Sequence, residues 1–172
     1  PKGHRAPSPP VFPETDALSE AKSYVAAKFP RALGSVGQFR WPVTRGQALH
    51  ELDAFLEQRL ALFGHYEDAI SSTQPWLYHS LLTTPLNIGL ITPQEVIDRT
   101  LDFASSHEVP LNSLEGFVRQ IIGWREFMRG IYHLHGVKIR HGNYWQHREP
   151  LPASFYDGTS GIGPIDSVIQ RL

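Results

Sequence analysis

The sequence predicts an all-α protein, an irregular multi-helix bundle of four to six helices. Two observations carry this expectation. Apolar residues recur at three- and four-residue intervals in one segment after another, and no segment alternates apolar with polar residues as a half-buried strand does. Two capping boxes mark helix starts within that pattern. The opening PKGHRAPSPPVFP lacks the periodicity and reads as an extended, proline-rich linker over residues 1–15, ahead of a helical domain over 16–172.

From Asp16 onward, Leu18, Ala21, Tyr24, Val25 and Phe29 fall at helical spacing until Pro30 and Gly34 interrupt them, which predicts a short amphipathic helix. Thr44 and Gln47 then form a capping box, in which hydroxyl and amide satisfy two free backbone N–H groups. Leu49, Leu52, Phe55, Leu56, Leu60 and Phe63 give the following helix its apolar face, with Gly64 placed to end it. Thr92 and Glu95 repeat the device, with Pro93 at the first helical position, and their helix carries Val96, Ile97, Leu101 and Ala104. Asn112 or Ser113 caps a further helix that runs to about His133. Loops are expected at 71–75, 105–110 and 136–163. Near the end, Ile165, Val168, Ile169 and Leu172 again share a helical face, so the chain is expected to be part of a larger protein or a truncated relative, incomplete at its C-terminal end.

The apolar and charged fractions, 41% and 19%, are those of a folded globular chain. A net charge of -1 argues against binding nucleic acid through overall charge and requires any such site to be local. With no cysteine, the chain supplies no disulfide, no cysteine-bound zinc and no iron–sulfur ligand. The absence of cysteine, of an apolar run of spanning length and of a signal-like start gives the expectation of a cytoplasmic protein with no membrane partner.

The stretch RQIIGWREFMRG, 119–130, raises a sharper question. Phe117, Ile121, Trp124, Met128, Ile131 and Tyr132 fall on one broad helical face, and Arg125 projects within it. A buried guanidinium needs a carboxylate, a phosphate or a row of carbonyls. The alternatives are a core ion pair with Glu67, Asp68 or Glu115, or a ligand. Gly116, Gly123 and Gly130 recur every seven residues, a seam for a neighbouring helix or a flat ligand, and Trp124 lies one turn from Gln120, a pairing suited to a planar hydrogen-bonding partner. Further on, Lys138, Arg140, His141 and Arg148 interleave with Tyr144 and Trp145. That pattern is either ordinary surface charge or a phosphate-and-stacking patch. The histidines at 133, 135, 141 and 147 are not expected to bind metal, since the first two point apart on a helix and no acid shares their segment before Glu149.

RQIIGWREFMRG is similar to the Trp-Arg-Glu-Phe motif of the photolyase/cryptochrome family. Upstream, in the expected order, HSLLTTPLNIGLITPQEV resembles that family's Thr-Ser-x-Leu-Ser-Pro-x-Leu-x-x-Gly-x-Ile-Ser segment. WPVTRGQALHELDAFLEQRLALFGHYEDAI resembles the branch whose full-length members bind flavin and often an iron–sulfur cluster. The resemblance covers nearly the whole chain. It implies an all-helical domain holding FAD in a U-shape, in proteins that repair ultraviolet-damaged DNA by light-driven electron transfer from reduced flavin. Carried over by motif, Ser80, Leu81, Leu82 and Thr83 approach the FAD phosphates, Arg125 joins the flavin-binding shell and Tyr66 lies near the cofactor. Gln120 and Trp124 line the cavity for the flipped-out lesion, Gln120 standing where many members carry glutamate and Gly123 shifting the register by one.

The chain also departs from the family. Complete members have an α/β antenna domain before this region and further flavin contacts after it. Pro164 stands where the iron–sulfur branch has its first cluster cysteine, so no iron–sulfur cluster is expected, and no catalytic residue is assigned. Three functions follow: a flavin-binding segment of a repair enzyme with damaged DNA as partner, a short non-catalytic relative that binds nucleic acid or protein without FAD, or a structural domain that keeps the motifs for helix packing.

Overall fold

The computed structural model describes residues 5–171, and among these it contains eight α-helices, one short 3-10 turn and no strand. The all-α expectation holds. The described chain divides into two compact units, the first formed by residues 5–12 and 41–137 and the second by 13–40 and 138–171.

The first unit contains α2 (Arg45–Gln58), α3 (Leu60–Tyr66), α4 (Thr83–Asn87), α5 (Pro93–Ser106) and most of α6 (Leu111–His141). Both expected capping boxes are present, Thr44 with Gln47 at α2 and Thr92 with Glu95 at α5, where Pro93 occupies the first turn. Their signal is wholly local, four residues satisfying their own N–H groups, which is why the pattern specified them. Arg45, in the first turn of α2, donates to both Glu95 and the Leu90 carbonyl and so ties the two helix starts together.

At the centre, Phe55, Phe63 and Phe117 meet with ring centroids 4.6 to 6.1 Å apart. Leu52, Leu60, Leu82, Ile91, Val96 and Ile121 close around them. Each fully buried side chain of this size contributes about 1.5–3 kcal/mol relative to exposure.

Three sequence expectations are corrected. The helix from Thr44 does not run through to Gly64. It breaks at Arg59, whose φ of -126° departs from helical values, and Gly64 lies inside α3. A Cβ on Gly64 would sit 2.7 Å from the backbone of Asn112 and Ser113, so glycine serves here to let α3 approach the start of α6. Asn112 and Ser113 in turn lie within α6, which begins at Leu111 and continues to His141. The Ser113 hydroxyl is used between helices, donating to the Ala61 carbonyl at 3.0 Å and accepting from the Gly64 N–H at 2.9 Å. Third, α6 is not buried along the whole predicted arc: Phe117 and Ile121 are buried, whereas Trp124, Met128 and Tyr132 are exposed.

The buried arginine of the fold is therefore Arg59. Its Nη2 donates to Glu51 Oε1 at 2.8 Å, with 1% and 3% of the two side chains exposed. Its guanidinium carbon lies 5.9 Å from the Phe55 ring centre. Residues 5–12 belong to this unit, with the Ala6 N–H on Gln74 and Phe12 edge-on to His50. Residues 1–4 lie outside the described residues.

The second unit holds α1 (Asp16–Lys28), capped by Thr15, then α7 (Ser154–Asp157) and α8 (Gly163–Ile169). None of these three helices carries a fully buried residue. The 160–161 loop is organised by Asp166, which accepts from Ser160 N–H and hydroxyl and from Gly161 N–H, an arrangement that lowers its pKa, the Ser160 hydroxyl contributing most. Of the last predicted helical face, Ile165, Val168 and Ile169 lie on α8 and Leu172 lies outside the described residues.

Two measurements test this account. Gly64→Ala should destabilise the protein by about 1–3 kcal/mol in urea denaturation, because overpacking against backbone outweighs the gain of about 1 kcal/mol in helix propensity. A midpoint equal to or above wild type would show that α3 does not need the close approach. The Glu95 carboxyl is held at about 2, chiefly by the Arg45 guanidinium and then by the Thr92 N–H, against an ordinary 4.5. A folded pKa below the unfolded one stabilises above about 4.5, and this contribution is lost as pH falls toward about 2. Glu95→Gln should flatten the acid limb of the stability profile in that window and leave its slope above pH 5 unchanged.

Candidate functional site

Within the first unit a cleft of about 540 Å³ lies against the N-terminal half of α6. One wall is the segment 79–83, the other the face of α6 that carries Gln120, Trp124 and Arg125, and its floor is apolar with Phe63, Phe117 and Ile121. The volume is within the range of small-molecule and cofactor sites.

Local interactions place each wall. After α3, Tyr66 stacks on Tyr78 with centroids 4.8 Å apart, and His79 Nε2 lies 3.0 Å from the Glu67 carbonyl oxygen. These contacts anchor the chain immediately before Ser80. Leu81 then adopts a left-handed conformation, φ 61°, as does Leu77 at 42°. Such backbone costs a non-glycine residue of order 1–3 kcal/mol and persists where the surrounding structure over-determines it. The turn buries Leu82 in the core and brings Ser80 and Thr83 to the cleft.

On α6, Ser113, Phe117, Ile121 and Arg125 follow one another at four-residue intervals, a single stripe. Arg125 is half-buried, and its Nη1 donates to the Ile121 carbonyl at 2.9 Å. Among the described residues it forms no ion pair, so the expected core partners are not engaged: Glu115 pairs instead with Arg119. Arg125 is left as the cation of the cleft. Gln120 and Trp124, one turn apart, are exposed at its rim, and Phe127 packs edge-on to the indole.

Seven of the eight residues proposed from sequence therefore line one cleft: Ser80, Leu81, Leu82, Thr83, Gln120, Trp124 and Arg125. Tyr66 does not line it. It stacks on Tyr78 instead. The sequence reading did not assign Glu67, Asp68 or His79 to the site, offering the two acids only as core partners for Arg125, and all three are in the lining. Glu67 Oε2 is buried without a hydrogen-bond partner, and a Cβ on Gly116 would stand 2.9 Å from it. Gly116 thus makes room for a carboxylate. Gly123 and Gly130 have nothing within 4 Å, so the glycine repeat is not a packing seam among the described residues. The signal for Glu67 was its place in HYED, directly after the proposed Tyr66.

No group of three or more His, Asp or Glu residues with metal-site geometry occurs among the described residues, and no described helix is long and apolar enough to cross a membrane.

No protein-family model matches the chain. A (6-4) photolyase of Agrobacterium fabrum is 36% identical over 165 residues, covering 96% of this chain and 32% of that protein. Over nearly its whole length the chain is similar to part of that photolyase. It spans about a third of the length of that photolyase. An uncharacterized protein of Acanthamoeba polyphaga mimivirus is 38% identical over 106 residues, 61% of this chain and 81% of that protein. Within the photolyase relationship the cleft brings together residues about 40 positions apart, the HSLLT wall and the Trp-Arg-Glu helix.

Proposed function

We propose that the chain contributes part of the FAD site and lesion pocket of a photolyase-like flavoprotein that repairs ultraviolet-damaged DNA. The observation that carries the reading is the convergence of two separate motifs, 80–83 and 120–125, on one cleft lined by Arg125, which forms no ion pair among the described residues.

The donor set fits FAD. Arg125 offers guanidinium N–H groups and Ser80 and Thr83 offer hydroxyls, which suit anionic oxygens. The partnerless Glu67 oxygen suits a ligand N–H or O–H. Trp124 offers an exposed ring face and Gln120 an amide, which together suit a flat base, and a lesion is easier to extrude than an intact one. Bound and reduced, flavin supplies the electron that light transfers to the lesion. The residues of this chain bind and orient. Leu81 shapes the 80–83 wall through its left-handed backbone, Ile121 holds Arg125 through its carbonyl, and Phe63, Phe117 and Ile121 give the cleft an apolar floor.

The finer assignments rest on resemblance. Segment 41–70 is similar to the iron–sulfur branch, in which Pro164, at the start of α8, replaces a ligand position. The relative's name makes the (6-4) class the first lesion to assay.

Titration of the purified chain with FAD, followed by removal of excess ligand, should leave a flavin absorption band with resolved vibronic structure. Arg125→Ala should weaken FAD binding about thirtyfold, corresponding to loss of a charge-assisted bond of about 2 kcal/mol, while the thermal midpoint stays near wild type. Lost stability with unchanged flavin affinity would assign Arg125 to the fold instead. A wild-type chain that retains no flavin would refute the cofactor reading.

A further inference from the structure

The end of α6 and the loop that follows it carry a second group of aromatic and basic side chains. It lies wholly within the second unit and outside the cleft. Residues 138–141 form the last turn of the helix, and the chain leaves it through a loop closed by its own hydrogen bonds. Asn143 Nδ2 donates to the His147 carbonyl at 2.6 Å, the His147 N–H returns to Asn143 Oδ1 at 3.1 Å, and the Gln146 N–H donates to the Asn143 carbonyl at 3.0 Å. Gln146 completes the turn with a left-handed φ of 55°. The loop is thus fixed, and yet it turns its two largest side chains outward. Tyr144 and Trp145 are 87% and 73% exposed, packed edge to face with centroids 4.9 Å apart.

Holding two aromatic rings in water has no benefit for folding, since burial of either would contribute about 1.5–3 kcal/mol. Their surroundings are basic. Lys138, Arg140 and Arg148 flank them, and none of the three forms an ion pair among the described residues. Glu149 is the one acidic residue between Ile131 and Tyr156, although the chain as a whole carries a net charge of -1. Positive charge is therefore concentrated on this short segment. An acidic protein surface would use the cations but not the ring faces, and an apolar surface would use the rings but leave the cations uncompensated. Unpaired nucleotides use both, stacking bases on the rings and placing phosphates against the cations.

We propose that the last turn of α6 and the 142–148 loop form a docking site for single-stranded nucleic acid. This goes beyond the flavin reading of the cleft and does not depend on it.

Fluorescence anisotropy of a labelled oligothymidylate of about a dozen nucleotides, titrated with the full chain, tests the proposal. The double variant Tyr144→Ala, Trp145→Ala should bind about tenfold more weakly or worse, with an unchanged salt dependence between about 50 and 200 mM. Trp145→Phe should keep most of the affinity. Replacing Lys138, Arg140 and Arg148 by glutamine should reduce the slope of log affinity against log salt by about 2, at roughly 0.7 per phosphate contact. The loop variants should leave FAD titration unchanged. Circular dichroism of each variant should match wild type, since every substituted residue in the patch is exposed. An aromatic double variant that binds like wild type, or equal competition by a polyanion without bases such as heparin, would overturn it.

Discussion

The close approach of α3 to the start of α6 is the contact on which the rest of the first unit depends. Gly64 admits the backbone of Asn112 and Ser113 to a distance no side chain would allow, and the Ser113 hydroxyl closes the junction with a bond in each direction. That junction sets the rotation of α6 about its axis. Counting in steps of four from Ser113, Phe117 and Ile121 enter the aromatic core and Arg125 emerges just beyond it. A helix gains only about 40° of drift per four residues, so the stripe stays on one side for these steps. Arg125 thus continues a buried stripe past the point where the opposing wall ends and the cleft begins.

The two arginines with apolar neighbours illustrate how differently the fold treats charge. Arg59 sits at the break between α2 and α3, wholly buried, and Glu51 compensates it two turns earlier on the same helix. Pairing of this kind offsets desolvation costs of several kcal/mol per ion and contributes little net stability, but removing one partner would leave the other charge stranded. Arg125 has no such compensation and remains partly solvated, bonded to a carbonyl of its own helix. The first arrangement pairs the charge internally through Nη2, while Arg59 Nη1 stays buried without a hydrogen-bond partner. The second retains donors that face outward into a polar-rimmed cleft.

How much of this was legible in the sequence follows from the range of each interaction. The capping boxes of α2 and α5 were readable because each is closed within four residues. The break at Arg59 was not, since Leu56, Leu60 and Phe63 keep helical spacing across it and only the buried pair with Glu51 marks the position. The role of Gly64 was misplaced for a related reason: glycine after an apolar run fits a helix end, and its partner lies 48 residues away. Likewise the apolar arc of α6 promised burial through Tyr132, whereas the aromatic core is filled once Phe117 and Ile121 are in place. Of the site, the residues came from motif resemblance. Their assembly into one cleft, the left-handed Leu81 and the placement of Glu67 required the coordinates.

Glu67 shows why a cleft differs from a gap. An apolar void would lose only packing, but here a carboxylate oxygen is removed from solvent with no donor supplied, at a cost of about 1–3 kcal/mol or more for a charged group. The space for it exists because residue 116 lacks a Cβ, so the carboxylate is not squeezed there by default. The neighbouring carbonyl of the same residue is engaged by His79, which fixes the backbone while leaving the side chain unmatched. Arg125, also in the lining, has the complementary condition, with donors and no ion pair among the described residues. Since the two do not pair with each other among the described residues, a molecule that carries both acceptors and donors would relieve both ends at once. Flavin and nucleobases have that combination on one planar frame. The unmatched polar atoms and the open aromatic rim are the features that the proposed ligand would use.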